Sequence, residues 1–125
     1  NKNLYFAGDT AYGEHFSDIF EEFKKIDLAF LPIAPYNPKN MNSDSHLDPK
    51  DSYKAFLDLG KPFFVPIHWG VFDYGMESRI DPINKIRKIM RDNNMIDKLV
   101  SDEIGKEFQL NDFYLLNEIK KNIYI

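Results

Sequence analysis

Leu4-Tyr5-Phe6-Ala7-Gly8-Asp9-Thr10, near the start of a 125-residue chain, sets four apolar residues directly against a glycine and an aspartate. The apolar run reads as a buried strand. A carboxylate at the mouth of such a strand is costly to desolvate unless it binds something there. The pattern recurs twice. Leu28-Ala29-Phe30-Leu31 runs to Pro32 and into a long polar loop, and Phe63-Phe64-Val65-Pro66-Ile67 delivers His68-Trp69-Gly70. Continuous apolar runs of this length suit strands buried on both faces.

Helical patterns separate these strands. Phe16, Ile19, Phe20, Phe23 and Ile26 recur at helical spacing, with Glu21, Glu22, Lys24 and Lys25 opposite, which predicts a helix over about His15 to Lys25. Residues 35–48 form a long loop rich in Pro, Asn and Ser, and loops of that length in compact domains are usually functional or disordered. Asp48 reads as an N-cap with Pro49 at the first helical position, and Gly60 as the stop. Asp81-Pro82 opens another capped helix, with Ile83, Ile86, Ile89 and Met90 apolar. Phe113 to Ile125 reads as one or two short strands. Alternating strands and helices predict an α/β layer with helices on one sheet face.

Composition narrows the function classes. Hydrophobic content of 43% and aromatic content of 15% are those of one packed domain over residues 1–125. A formal charge of -4 and the lack of a dense basic run exclude a nucleic-acid binder driven by phosphate neutralisation. With no cysteine, disulfides, thiolate zinc sites and a Cys nucleophile are ruled out, which suits a reducing, cytoplasmic setting. No apolar stretch reaches the length of a membrane span. The chain opens on Asn1 and enters a strand within three residues, which reads as the remainder of a longer protein.

Asp9, His46 and His68 each come after a different strand. Residues at the carboxyl ends of neighbouring strands in α/β proteins converge on one crevice. Two imidazoles and a carboxylate meeting there suit a transition metal. Each also has a plain structural reading. Asp9 could cap a turn, His68 beside Trp69 could be a core histidine, and His46 could bond its own backbone. His15 is read as a residue of the first helical turn.

Three motifs add more than spacing. Phe6 to Phe16 ("FAGDTAYGEHF"), Asp27 to Pro49 (ending "HLDP") and Val65 to Phe72 ("VPIHWGVF") resemble the metallo-β-lactamase fold superfamily. The nearest branch holds N-acylphosphatidylethanolamine phospholipase D and the ascorbate-6-phosphate lactonase-like hydrolases. The resemblance implies the C-terminal half of an αββα sandwich, with one mixed sheet and helices on one face. It implies that Asp9 bridges two zinc ions, that His68 binds the second, and that His46 orients substrate or serves as acid/base. Such ions would activate a water for phosphodiester hydrolysis of phospholipase D type, or for hydrolysis of a lactone or other ester.

The family's earlier His-x-His-x-Asp-His segment has no counterpart among the three histidines here. The chain alone is therefore expected to bind zinc weakly and to hydrolyse nothing. The competing expectation is a non-catalytic fragment that serves only as half of an assembly. Strands apolar on both faces need a second cover, expected from the N-terminal half of the domain or from a second copy of the chain. A small-molecule or lipid phosphodiester is the implied substrate, and a lipid would bring the protein to a membrane surface.

Overall fold

The computed structural model describes residues 1–42 and 44–115. Its elements run in the order β1 (Leu4–Phe6), α1 (His15–Phe23), β2 (Leu28–Pro32), α2 (Lys39–Asn42), α3 (Pro49–Asp58), β3 (Phe63–Ile67), α4 (Asp81–Asp92) and a 3₁₀ turn, Ile96–Lys98. The sheet has the order β1-β2-β3, with Phe6 opposite Phe30 and Phe30 opposite Val65. Both pairings are parallel, as connections through helices require.

This corrects the expected mixed sheet. Every strand pairing among the described residues is parallel, including the lone bridge between Phe64 and Leu99. The separate expectation of short strands from Phe113 onward is also corrected at its start, where residues 110–115 are helical. Residues 116–125, the rest of that expected strand region, lie outside the described residues.

Alternation along the strands divides the interior. Ala29, Leu31 and Phe64 face the helices and pack with Phe16, Phe56, Ile83, Ile86 and Met90. Leu28, Phe63 and Val65 face the other way and meet Val100, Phe108, Leu110, Phe113 and Tyr114. The second face is thus covered over β2 and β3 by the chain's own residues, where a second sheet or copy was expected. The periodicity of residues 99–115 is too irregular to announce that role. Leu4 and Phe6 on the edge strand β1 stay exposed.

Helix ends explain the remaining boundaries. α1 stops at Phe23 because Lys24 takes a left-handed conformation and returns its N–H to the Phe20 carbonyl. Asp48 caps α3 as expected, its side chain accepting the Asp51 N–H at 2.8 Å with Pro49 at the first position. Gly60 comes next with φ of 80°, and a Cβ there would run into the Phe20 ring. α4 departs from expectation. Asp81 is its first residue, not its cap, and its carboxylate takes the Tyr36 hydroxyl and Lys85 instead. That pairing holds the Asp81 carboxyl below its usual value, through Lys85 first and Tyr36 second.

The covering segment is tied down by one buried carboxylate. Asp27 accepts the Asn3 N–H at 2.8 Å and the Tyr114 hydroxyl at 2.5 Å, with Lys25 at 3.0 Å. Burial pushes its pKa up, but these partners outweigh burial and hold it at about 2. A carboxyl depressed from 3.8 contributes stability that is fully present above pH 3.8 and is lost as pH falls through about 2. That contribution is about 2 kcal/mol. Urea titrations at neutral pH and between pH 4 and 2 should show Asp27→Asn weaker at neutrality and flatter in acid. An acid profile as steep in the variant as in the wild type would place the effect elsewhere.

Candidate metal centre

The three polar residues after the strands converge. After β1, the Ala7 N–H reaches the Phe30 carbonyl at 3.0 Å, and Gly8, left-handed at φ of 64°, turns the chain so that Asp9 stands at the sheet's carboxyl edge. After β2, Ile33 bonds the Ile67 carbonyl and the chain enters the loop that carries Ser45 and His46. The next two residues hold His46 in place: Leu47 is fully buried in the core and Asp48 caps α3. The "HLDP" motif is thus a histidine with two anchors directly behind it. After β3, His68 itself is left-handed, with φ of 63°. A non-glycine residue there stores about 1–3 kcal/mol of strain, a feature that gathers at functional sites.

Both histidines point Nε2 at the same atom, His46 and His68 each lying 3.4 Å from Asp9 Oδ1. The ligand atoms of all three residues lie within 4.8 Å of one another. The two rings are near parallel, 17° apart, with centroids 5.6 Å apart. His46 and His68 are mostly enclosed, while 60% of the Asp9 side chain remains accessible, so the site opens outward. His15 is not part of this cluster; it contacts Thr10 and the Phe16 ring at the start of α1.

Neighbours settle the chemistry of one imidazole and leave the other free. His68 Nδ1 lies 2.7 Å from the Ala34 carbonyl. A carbonyl only accepts, so Nδ1 carries a proton and Nε2 is the nitrogen turned toward Asp9. His46 Nδ1 faces the Ser45 hydroxyl at 2.9 Å. A hydroxyl can donate or accept, so His46 Nε2 can hold either a proton or a lone pair. The Tyr74 ring lies near parallel to His68 on its outer side, with centroids 6.3 Å apart.

The donor set fits a zinc ion. Ligand atoms about 2.0–2.2 Å from a tetrahedral zinc stand roughly 3.3 Å from each other. The 3.4 Å separation of His68 Nε2 from Asp9 Oδ1 matches that edge length, and His46 Nε2 stands equally near the same oxygen. Asp9 and His68 by themselves give an ion two protein ligands, one fewer than the three a catalytic zinc uses.

Sequence reasoning reaches all three of these residues but misses their supports. The Ala34 carbonyl is backbone and has no side-chain signature. Ser45 adjoins His46 and is a legible signal. Tyr74 lies in a loop whose composition marks it only as polar.

A parallel α/β layer thus carries at its carboxyl edge a His-His-Asp cluster that could hold a metal ion. The family model described as the beta-lactamase superfamily domain matches residues 1–69, and the chain belongs to this family. That match spans Asp9, His46 and His68. An uncharacterized protein of Mycobacterium tuberculosis is 34% identical over 89 residues, covering 69% of this chain and 23% of its own length. The N-acyl-phosphatidylethanolamine-hydrolyzing phospholipase D 1 of Caenorhabditis elegans is 27% identical over 116 residues, covering 90% of this chain and 33% of its own. A metal-dependent hydrolase of Enterococcus faecalis is 36% identical over 74 residues, covering 58% and 28%. The chain therefore spans about a quarter to a third of the length of these relatives. The family holds metal-dependent hydrolases. Among the described residues no helix is long and apolar enough to cross a membrane.

Proposed function

We propose that the protein carrying this chain is a zinc-dependent hydrolase of phosphodiesters, of phospholipase D type, and that the chain supplies part of its metal centre. The observation behind this reading is the convergence of His46 Nε2 and His68 Nε2 on Asp9 Oδ1. Asp9 and His68 would hold the metal, and the two oxygens of Asp9 would suit it to face two ions. A bound zinc supplies a water acidic enough to act as nucleophile at neutral pH and polarises the phosphoryl oxygen. His46 is the acid/base or substrate-orienting residue, because the Ser45 hydroxyl leaves both of its protonation patterns available. A complete centre needs ligands beyond Asp9 and His68, and the reading assigns them to a preceding segment of the same domain. Hydrolysis of a lactone or another ester by the same centre is the alternative, since a metal-activated water would serve for either electrophile.

His46→Ala in the full-length protein should leave zinc content unchanged and lower the rate about 10²–10⁴-fold, the range for a general acid or base. Loss of zinc in that variant would make His46 a ligand instead. The substrate test sets an N-acylated phosphatidylethanolamine in micelles beside an aryl ester and a lactone. Preferred phosphodiester cleavage supports the reading. Preferred ester or lactone cleavage selects the alternative, and inactivity of the zinc-loaded protein toward all three overturns both.

A further inference from the structure

Glu77 stands in the loop after β3, beyond the residues that match the family. Its carboxylate accepts two consecutive backbone N–H groups, Tyr36 through Oε1 and Asn37 through Oε2, each at 3.0 Å. The Met76 N–H adds a third bond, to the Asn37 carbonyl at 3.0 Å. The loop after β3 is thereby fastened to the segment leaving β2. Two residues before Tyr36 in that segment is Ala34, whose carbonyl accepts the His68 Nδ1–H.

A second observation concerns Gly75. A Cβ at this position would stand 2.6 Å from Glu77 Cδ and closer still to both carboxylate oxygens. The carboxylate folds back across the glycine, into space that any other residue would fill. With both oxygens engaged by N–H groups, it has no freedom to step aside without breaking those bonds.

We infer that Glu77 is a positioning residue for the metal centre: by clamping Tyr36 and Asn37 it fixes the Ala34 carbonyl, and that carbonyl fixes the tautomer and ring direction of His68. The metal half of this statement rests on the zinc reading above; the tautomer half does not. An imidazole released from the carbonyl spreads its proton over both nitrogens, and the Nε2–H form has no lone pair to offer toward Asp9. A carboxylate is needed at 77 because a carboxamide would turn its own NH₂ against one of the two N–H groups.

Two variants of the full-length protein test this. Glu77→Gln removes one acceptor, and Gly75→Ala keeps the carboxylate while displacing it. Zinc affinity is read by competition with a chromophoric chelator. The His68 tautomer is read in the metal-free protein by nitrogen NMR of labelled histidine. Both variants should weaken zinc binding about ten- to hundredfold, as loss of the outer partners of metal ligands does. Both should also convert the His68 signal from Nδ1–H to a mixture. Unchanged affinity with an unchanged tautomer overturns the inference, even if thermal stability falls, and leaves Glu77 a loop brace. If neither variant folds, amide exchange in the wild type decides. Protection of Tyr36 and Asn37 comparable with β3 supports the clamp, and exchange at open-loop rates refutes it. A wild type that binds no zinc but loses its His68 tautomer in the variants would remove the zinc reading and leave the clamp standing.

Discussion

Asp9→Ala in the full-length protein is expected to lose metal and hydrolytic activity together. Asp9 carries the atom on which both histidines converge, so its removal leaves two imidazoles with no anion between them. Loss of a mere outer partner of a metal ligand costs about 10–100-fold in affinity, so loss of the shared carboxylate should exceed that range. The side chain is mostly accessible and its partners among the described residues are the two site histidines, so folding should be spared. Metal analysis, a rate assay and a thermal melt on the same preparation check all three parts. A variant that retained metal and rate would reduce Asp9 to a turn residue, and a variant that unfolded would make it structural.

Phe56→Ala carries the largest expected loss of stability. Its side chain is fully buried in α3 and stacks between Tyr53, at 5.7 Å, and Phe64 of β3, at 5.9 Å. Truncating a buried Phe costs about 3–5 kcal/mol, the transfer term plus the cavity that remains. Against a total of about 5–15 kcal/mol for a typical domain, that is a large share. Phe6→Ala is the matched control, since Phe6 is 68% exposed on the edge strand. A surface change of that kind should stay within about 0.5 kcal/mol. Denaturant midpoints of the two variants should therefore separate widely. Similar midpoints would mean that the α3 face is not the centre of the core.

How much of this is legible in the sequence depends on how local the cause is. β3 is legible to the residue, because its apolar run lies between Pro62 and His68 and its burial pattern follows directly. The cap and stop of α3 are equally local, each resting on one side chain or one glycine. Asp81 misleads because its residue type fits a cap, while Tyr36, 45 positions earlier, supplies the partner that draws its carboxylate away. The cover of the second sheet face is hidden for the same reason: Tyr114 reaches Asp27 across 87 positions. At the site, three side chains are legible from their place after strands and from their motifs. The Ala34 carbonyl that orients His68 is not, because backbone atoms leave no mark in a sequence.

The loop that carries His46 is secured at both of its ends. Glu77 grips residues 36 and 37 at the entrance, while Leu47 and the Asp48 cap grip the exit. What lies between, residues 38 to 44, is a bounded insert whose length and composition can vary without moving Ser45 and the histidine behind it. Doubling such a segment costs only about 0.6 kcal/mol in closure entropy. The fold therefore separates two evolutionary tasks. The anchors keep His46 in register, and the span between them can be rewritten.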